Sequence, residues 1–375
     1  MTLRSTPHLR RLATTCVLLI LSGLSSAIST TYAQTRAYVT NNSDNTVSVI
    51  DTATNTVITT IPTGAFAQEV AITPDGTRAY VTNSAVFDGG SITVIDTATN
   101  TVIATILNDS FPTVVAFAPN GLRAYVTSFA TNSVFVVDTA TNTVIATIPV
   151  GVVPNGVAVT PDGTRVYVAN RFTVSVIDTA TNTVIDTISV GNGASRLAIT
   201  PDGTRVYVTN FDLNSSVSVI DTATNTVIAT IPTATNEVSL SGQVVALTPD
   251  GTRAYVSNQL VDKVFVIDTA TNTVIATIPM GTFAFPLGLA VTPDGLRVYV
   301  ANQALGTVSV IDTTTNTVIT SIPVGSNPIG IAITPSVAPK TKDECKSGGY
   351  KKFIPPVGPF KNQGQCIRFV TATFK

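Results

Sequence analysis

Seven aspartates recur at nearly even intervals: Asp51, Asp96, Asp138, Asp178, Asp221, Asp268 and Asp312. Carboxylates are the usual material of cation sites and of acid–base chemistry, so they are the first candidates for either. Each opens the same run, D-T-[AT]-T-N. Asp and Asn in such a run bond to nearby backbone amides, and sevenfold recurrence at one turn points to capping rather than catalysis. Asp88, Asp109 and Asp212 lie outside the repeat but show no ordered ligand spacing for a cation. Six arginines, Arg78, Arg123, Arg165, Arg205, Arg253 and Arg297, each follow a P-[DN]-G turn, and hydrogen bonding between strands or blades is expected of them. The single histidine, His8, lies in the first ten residues, and there is no tryptophan. Three arginines, Arg4, Arg10 and Arg11, precede an apolar run over 16–24 and a T-Y-A site at Thr31–Ala33. This is the pattern of a secretory signal peptide over 1–33, with an earlier cut after Ala27 as the alternative. Its removal leaves no imidazole, which disfavours His-based triads, His-ligated haem and the usual transition-metal sites. No G-x-S-x-G elbow, phosphate loop or C-x-x-C is present, and no cofactor or metal is expected.

The elements that must position any site are set by a repeat. Arg-x-Tyr-Val-x-Asn, with Ser once for Asn, recurs at Tyr38, Tyr80, Tyr125, Tyr167, Tyr207, Tyr255 and Tyr299, about 43 residues apart. A period of that size means an array of equivalent modules. Within the unit from Val153 to Ile188, runs rich in Val, Ile, Thr and Tyr fall at 156–159, 165–169, 173–177 and 183–188, as strands require. Pro161-Asp162-Gly163 closes the first hairpin and the D-T-A-T-N run joins the third strand to the fourth. Four antiparallel strands per unit, seven times, predict an all-β, seven-bladed β-propeller over 34–336. The first unit lacks its innermost strand and the last ends with an extra one, 330–334, so the two ends are predicted to share a blade.

The anchors Tyr38–Asn41, Tyr80–Asn83 and Tyr207–Asn210, with V-I-D-T-A-T-N-T-V-I and T-P-D-G-T-R, resemble the YVTN-family β-propeller repeat over about 300 residues. Ser128 for Asn, and Ala169, Ser257 and Ala301 for Thr, depart from it. The resemblance implies an exported, cell-surface or periplasmic protein. Related propellers include lactonases, lyases and redox enzymes, so the fold does not choose among activities.

Function is sought where the repeats differ. Aligned innermost strands put Gln68, Thr113, Asn155, Ser195, Gln243, Leu287 and Ile329 at one rim position. Glu69 and Arg196 are the only charges at the next. Longer connections on the same face supply Phe87, Phe211, Phe283 and Phe285. Gln68, Glu69, Asn155, Arg196, Gln243, Phe211, Phe283 and Phe285 are therefore the expected ligand-binding residues.

Charge is uneven: 34–336 holds 10 Lys+Arg against 20 Asp+Glu, and 337–375 holds 8 against 2. The acidic body disfavours nucleic acid. The basic tail carries Cys345 and Cys366, expected to pair in an exported protein; its D-E-C-K-S-G-G-Y run resembles a small cysteine-paired terminal segment of other exported bacterial proteins. The expectation is an exported, monomeric, non-enzymatic module without a membrane span, binding a protein, glycan or small ligand. The alternatives are a lactonase-like hydrolase using Glu69 and Arg196, or a single-stranded nucleic-acid binder.

Overall fold

The computed structural model describes residues 35–335 apart from 86–88, 109–110, 212–214 and 234–242. The expected signal peptide and the segment with Cys345 and Cys366 lie outside the described residues, as do Phe87, Asp88, Asp109 and Asp212. The described chain forms seven four-stranded antiparallel sheets, the predicted blades. In the fourth blade the strands are Val157–Val159, Arg165–Ala169, Thr173–Asp178 and Thr183–Ser189, each within about a residue of the sequence expectation. Blades are counted here in chain order. The innermost strand of the first is Pro328–Ile333, which pairs antiparallel with Arg36–Asn41 through Tyr38↔Ala332 and Val39↔Ile331. Head and tail thus close the ring in one sheet.

The alternation in each blade explains the packing. Second and third strands are buried on both faces, and all seven anchor tyrosines are at most 1% exposed. Hydrophobic clusters bridge neighbours: Tyr167, Val174 and Val176 of the fourth blade pack with Leu197, Val206, Val208 and Ile220 of the fifth. A blade alone would leave such residues wet, and each fully buried Val or Ile is worth roughly 1.5–3 kcal/mol. The ring is therefore the folding unit.

Polar links run the same way. Arg78 donates to Thr139 O of the next blade at 2.7 Å, and Arg297 closes the circle onto Thr52 O at 3.0 Å. Tyr299 Oη bonds Asn55 Oδ1 at 2.6 Å across the same closure. The repeated aspartates cap turns as expected: Asp178 Oδ1 accepts from Ala180 N–H at 3.0 Å and Thr181 N–H at 2.8 Å. The anchor asparagine works both within and beyond its sheet. Asn41 Nδ2 donates across the sheet to Thr46 Oγ1 and Ser48 Oγ, while its Oδ1 receives Gly325 N–H from the crossing loop.

The free edge of each blade is interrupted. Third and fourth strands slip by one residue, as between Val49↔Thr59 and Ile50↔Val57, leaving Ile58 as the extra residue. The same slip occurs in all seven blades. Such bulges twist an edge away from flat pairing with another chain.

The innermost strands are spaced by a device that the sequence does not advertise. In five blades the Thr or Ser of the anchor accepts from its own innermost strand and donates to the next. Thr82 Oγ1 takes Glu69 N–H at 3.1 Å and gives to Thr113 O at 2.9 Å; Thr209 joins Arg196 to Gln243 likewise. Where the anchor has Ala169 or Ala301, the innermost strand has Gly156 or Gly288. Gly156 N–H bonds Ser195 O directly at 2.7 Å, and a Cβ on Gly288 would lie 2.0 Å from Ile329 O. Backbone cannot yield there, so Gly288→Ala should cost about 1–3 kcal/mol as overpacking does, read from urea unfolding. An unchanged midpoint would show that these strands slide freely.

Candidate functional site

Two kinds of connection meet on one face of the ring: the crossings from outermost to innermost strand, and the hairpins between second and third strands. Ser84 N–H bonds Phe66 O at 3.1 Å, Phe129 N–H bonds Phe111 O at 3.1 Å and Gln303 N–H bonds Phe285 O at 3.2 Å, tying hairpin to crossing. The rim residues predicted from the alignment start the innermost strands at this face. Gln68, Asn155, Ser195, Arg196, Gln243, Leu287 and Ile329 line one cavity of about 360 Å3, with Gln259 and Gln303 beside them. A second hollow of about 220 Å3 shares Gln68, Asn155 and Arg196 and adds Phe111 and Phe129.

Glu69 and Arg196 do not stand apart as two rim charges. They form an ion pair, Arg196 Nη2 to Glu69 Oε2 at 3.3 Å, with side chains 15% and 13% exposed. One comes from the second blade and the other from the fifth, so the pair spans the channel. Arg196 Nη1 also donates to Asn155 Oδ1, and Asn155 Nδ2 donates to Ser195 Oγ at 3.3 Å. Burial pushes the Glu69 carboxyl above its ordinary value, against the pull of Arg196; burial likewise lowers Arg196, against the pull of Glu69. The hydrolase alternative needs these groups free for acid–base work and anion binding, whereas here each occupies the other.

Gln243 is fully buried in this wall, and neither its Nε2 nor its Oε1 has a hydrogen-bond partner. Arg196 Nε is unpartnered as well. Gln259 Nε2 donates to Gln303 Oε1 at 2.8 Å. The mouth is thus lined by amides, three aliphatic residues (Val244, Leu287 and Ile329) and one self-neutralised charge pair.

The predicted aromatics lie around the mouth rather than in its wall. Phe211 is half-buried, against Gly193. Phe283 and Phe285 meet edge to face at 6.5 Å, and Asp262 fixes their loop by accepting both backbone N–H groups at 2.7 and 2.8 Å. Sequence reasoning missed Phe66, Phe111, Phe129 and Phe172. The signal was available: Phe66, Phe111 and Phe285 each stand two residues before a rim position, all at positive φ. Among the described residues every strongly exposed phenylalanine, Phe66, Phe129, Phe172, Phe283 and Phe285, belongs to this face. Gln259 and Gln303 also escaped notice, though each directly follows an anchor asparagine.

The opposite face carries the capped turns. Bonds from the backbone N–H three residues on hold the carboxyls of Asp96, Asp138, Asp178, Asp221, Asp268 and Asp312 below the usual carboxylate range. A lowered folded-state pKa gives stability that is present above the unfolded value, about 3.9, and is lost as pH falls. Urea midpoints should therefore fall below about pH 4, as these carboxylates take up protons. A midpoint that holds unchanged to about pH 2 would mean that the capped turns add nothing to the fold.

Among the described residues no group of three or more His, Cys, Asp or Glu could hold a metal ion, and no helix is long and apolar enough to cross a membrane.

Residues 115–288 match the sequence model of the Choice-of-anchor I domain. No curated protein matches the chain. Among solved structures, it is similar to hydrazine synthase of Kuenenia stuttgartiensis, at 22% identity and TM-score 0.63 over 72% of this chain and 90% of that one. It is similar to a functionally unknown protein from Desulfotomaculum acetoxidans at 20% and 0.66, over 80% and 99%. Dihydro-heme d1 dehydrogenase NirN, in complex with DHE, matches at 15% and 0.59, over 79% and 74%. At such identities the likeness is one of fold. The chain is a seven-bladed β-propeller, part of which is similar to the Choice-of-anchor I domain.

Proposed function

We propose that this chain is an exported, non-enzymatic binding module of the YVTN type that holds its ligand on the face around the Glu69–Arg196 pair. The gathering on that face of every strongly exposed phenylalanine among the described residues carries the reading. Exposed aromatics around a polar centre are the usual anchors of recognition, whereas among the described residues the turns of the opposite face expose two large apolar side chains, Leu122 and Leu296, and no aromatic. The one carboxylate in the mouth is committed to Arg196, which supports binding over hydrolysis. The basic leader and the stretch similar to the Choice-of-anchor I domain support export. The same reading keeps Cys345 paired with Cys366, and the ring monomeric without cofactor.

A photo-crosslinking phenylalanine analogue at Phe66 or Phe283, tested in cells exporting the chain, should give a discrete adduct. The same analogue at Leu122 or Leu296 should not. Equal adducts from both faces, or none from either, would reject the reading.

A further inference from the structure

We propose that the mouth cavity takes a segment of peptide chain, whose backbone amide pairs with the Gln243 carboxamide and whose apolar side chain seats on Leu287 and Ile329. This rests on the binding-module reading and names its ligand class.

Three features of the wall select that class. Gln243 is fully buried with both amide atoms unpartnered. A buried polar group left unpaired is costly, and few survive in a folded protein without a reason. A primary carboxamide offers one donor and one acceptor side by side, which matches the C=O and N–H of a peptide unit. Arg196 Nε, also buried and unpartnered, supplies a further donor for a carbonyl.

Charge gives the second feature. Arg196 is neutralised by Glu69 at 3.3 Å, so the wall selects a neutral group rather than a free carboxylate or phosphate. The third is apolar surface. Val244, Leu287 and Ile329 offer an aliphatic seat in the same wall, which takes the side chain of a peptide and matches nothing in the hydroxyls of a sugar, and the phenylalanines outside it extend that surface.

Gln243 has no exposure to solvent, so entry requires the wall to part. The Gln259–Gln303 hydrogen bond, 2.8 Å, can open without stranding a charge.

The test titrates the mature ring with N-acetylated, C-amidated tripeptides bearing Leu, Ile or Phe at the centre, and in parallel with N,N′-diacetylchitobiose, following side-chain amide signals by NMR. Saturable shifts are expected with the tripeptides and not with the sugar. Gln243→Leu should weaken peptide binding at least tenfold while raising the urea midpoint, because it removes an unpaired buried amide. Gln243→Met, closer in shape, should do the same if the leucine variant folds poorly. Peptide binding that survives both substitutions, saturation by the sugar alone, or no binding of either probe overturns the inference. If those results come while crosslinks still form at Phe66 and Phe283, the binding face stands and only the ligand class is wrong. If the crosslinks vanish too, the face itself is wrong.

Discussion

A chain ending at Ser326 will lose the cooperative unfolding of the whole ring, and one ending at Pro335 will keep it. The difference is the strand Pro328–Ile333, which is the innermost strand of the first blade. Its loss removes Ile329 and Ile331, now 8% and 6% exposed, whose burial is worth roughly 1.5–3 kcal/mol each. It also opens the edge of Arg36–Asn41 and deprives the buried Thr40 Oγ1 of the Gly330 N–H that donates to it at 2.7 Å. Ile331 packs in one cluster with Val39 and Ile50 on one side and with Tyr299, Val308 and Val310 of the seventh blade on the other. Removing it therefore loosens an interface, not one sheet alone. The sum approaches the ~5–15 kcal/mol margin of a typical domain, so the expected outcome is a broad, non-cooperative transition in urea. Circular dichroism and tyrosine fluorescence follow it, the chain having no tryptophan. A shorter chain with the same midpoint and slope as the longer one would mean that the ring does not depend on its closing strand.

Blade count, strand content and closure were legible in the sequence because they are written seven times. Each copy of Arg-x-Tyr-Val-x-Asn states the same local problem: a buried tyrosine that needs a partner in the next blade, and an arginine that reaches across to a carbonyl. The site was legible only as positions. Alignment placed Gln68, Glu69, Asn155, Arg196 and Gln243 on one rim because register is conserved when every innermost strand begins alike. It could not show that Glu69 and Arg196 meet, since their separation of 127 residues becomes a contact only once the curvature of seven blades sets the channel width. Nor could it tell that Gln243 is buried while Phe283 stands out in solvent, because burial at the rim depends on loops that differ from blade to blade. Ala169 and Ala301 were legible only as departures from the repeat; that each goes with a glycine, Gly156 or Gly288, in its innermost strand has a cause only in the hydroxyl bridges of the other blades.

Replacing either Glu69 or Arg196 alone will harm the ring far more than replacing both. The pair is mostly enclosed, so Glu69→Gln leaves a guanidinium short of its counter-charge, and Arg196→Gln leaves a desolvated carboxylate. Breaking a fully buried pair from one side costs about 3–5 kcal/mol; access at the mouth trims that toward about 2–3 kcal/mol, since exposed pairs are worth far less. The double variant Glu69→Gln with Arg196→Gln removes both desolvation costs and keeps two amides able to bond each other and Asn155. It should fall within about 1 kcal/mol of wild type, or exceed it, as neutral replacements of buried pairs often do. The expected coupling energy is then about 3–6 kcal/mol across a four-member urea cycle, well above the ~0.5 kcal/mol typical of independent sites. The sign matters beyond stability. The second and fifth blades lie three places apart around the ring, so a pair that couples them acts as a strut across the channel and fixes its width at the amide-lined mouth. If the single effects simply add, the two charges share a channel without supporting each other, and the mouth must owe its shape to the Thr and Ser bridges between innermost strands alone.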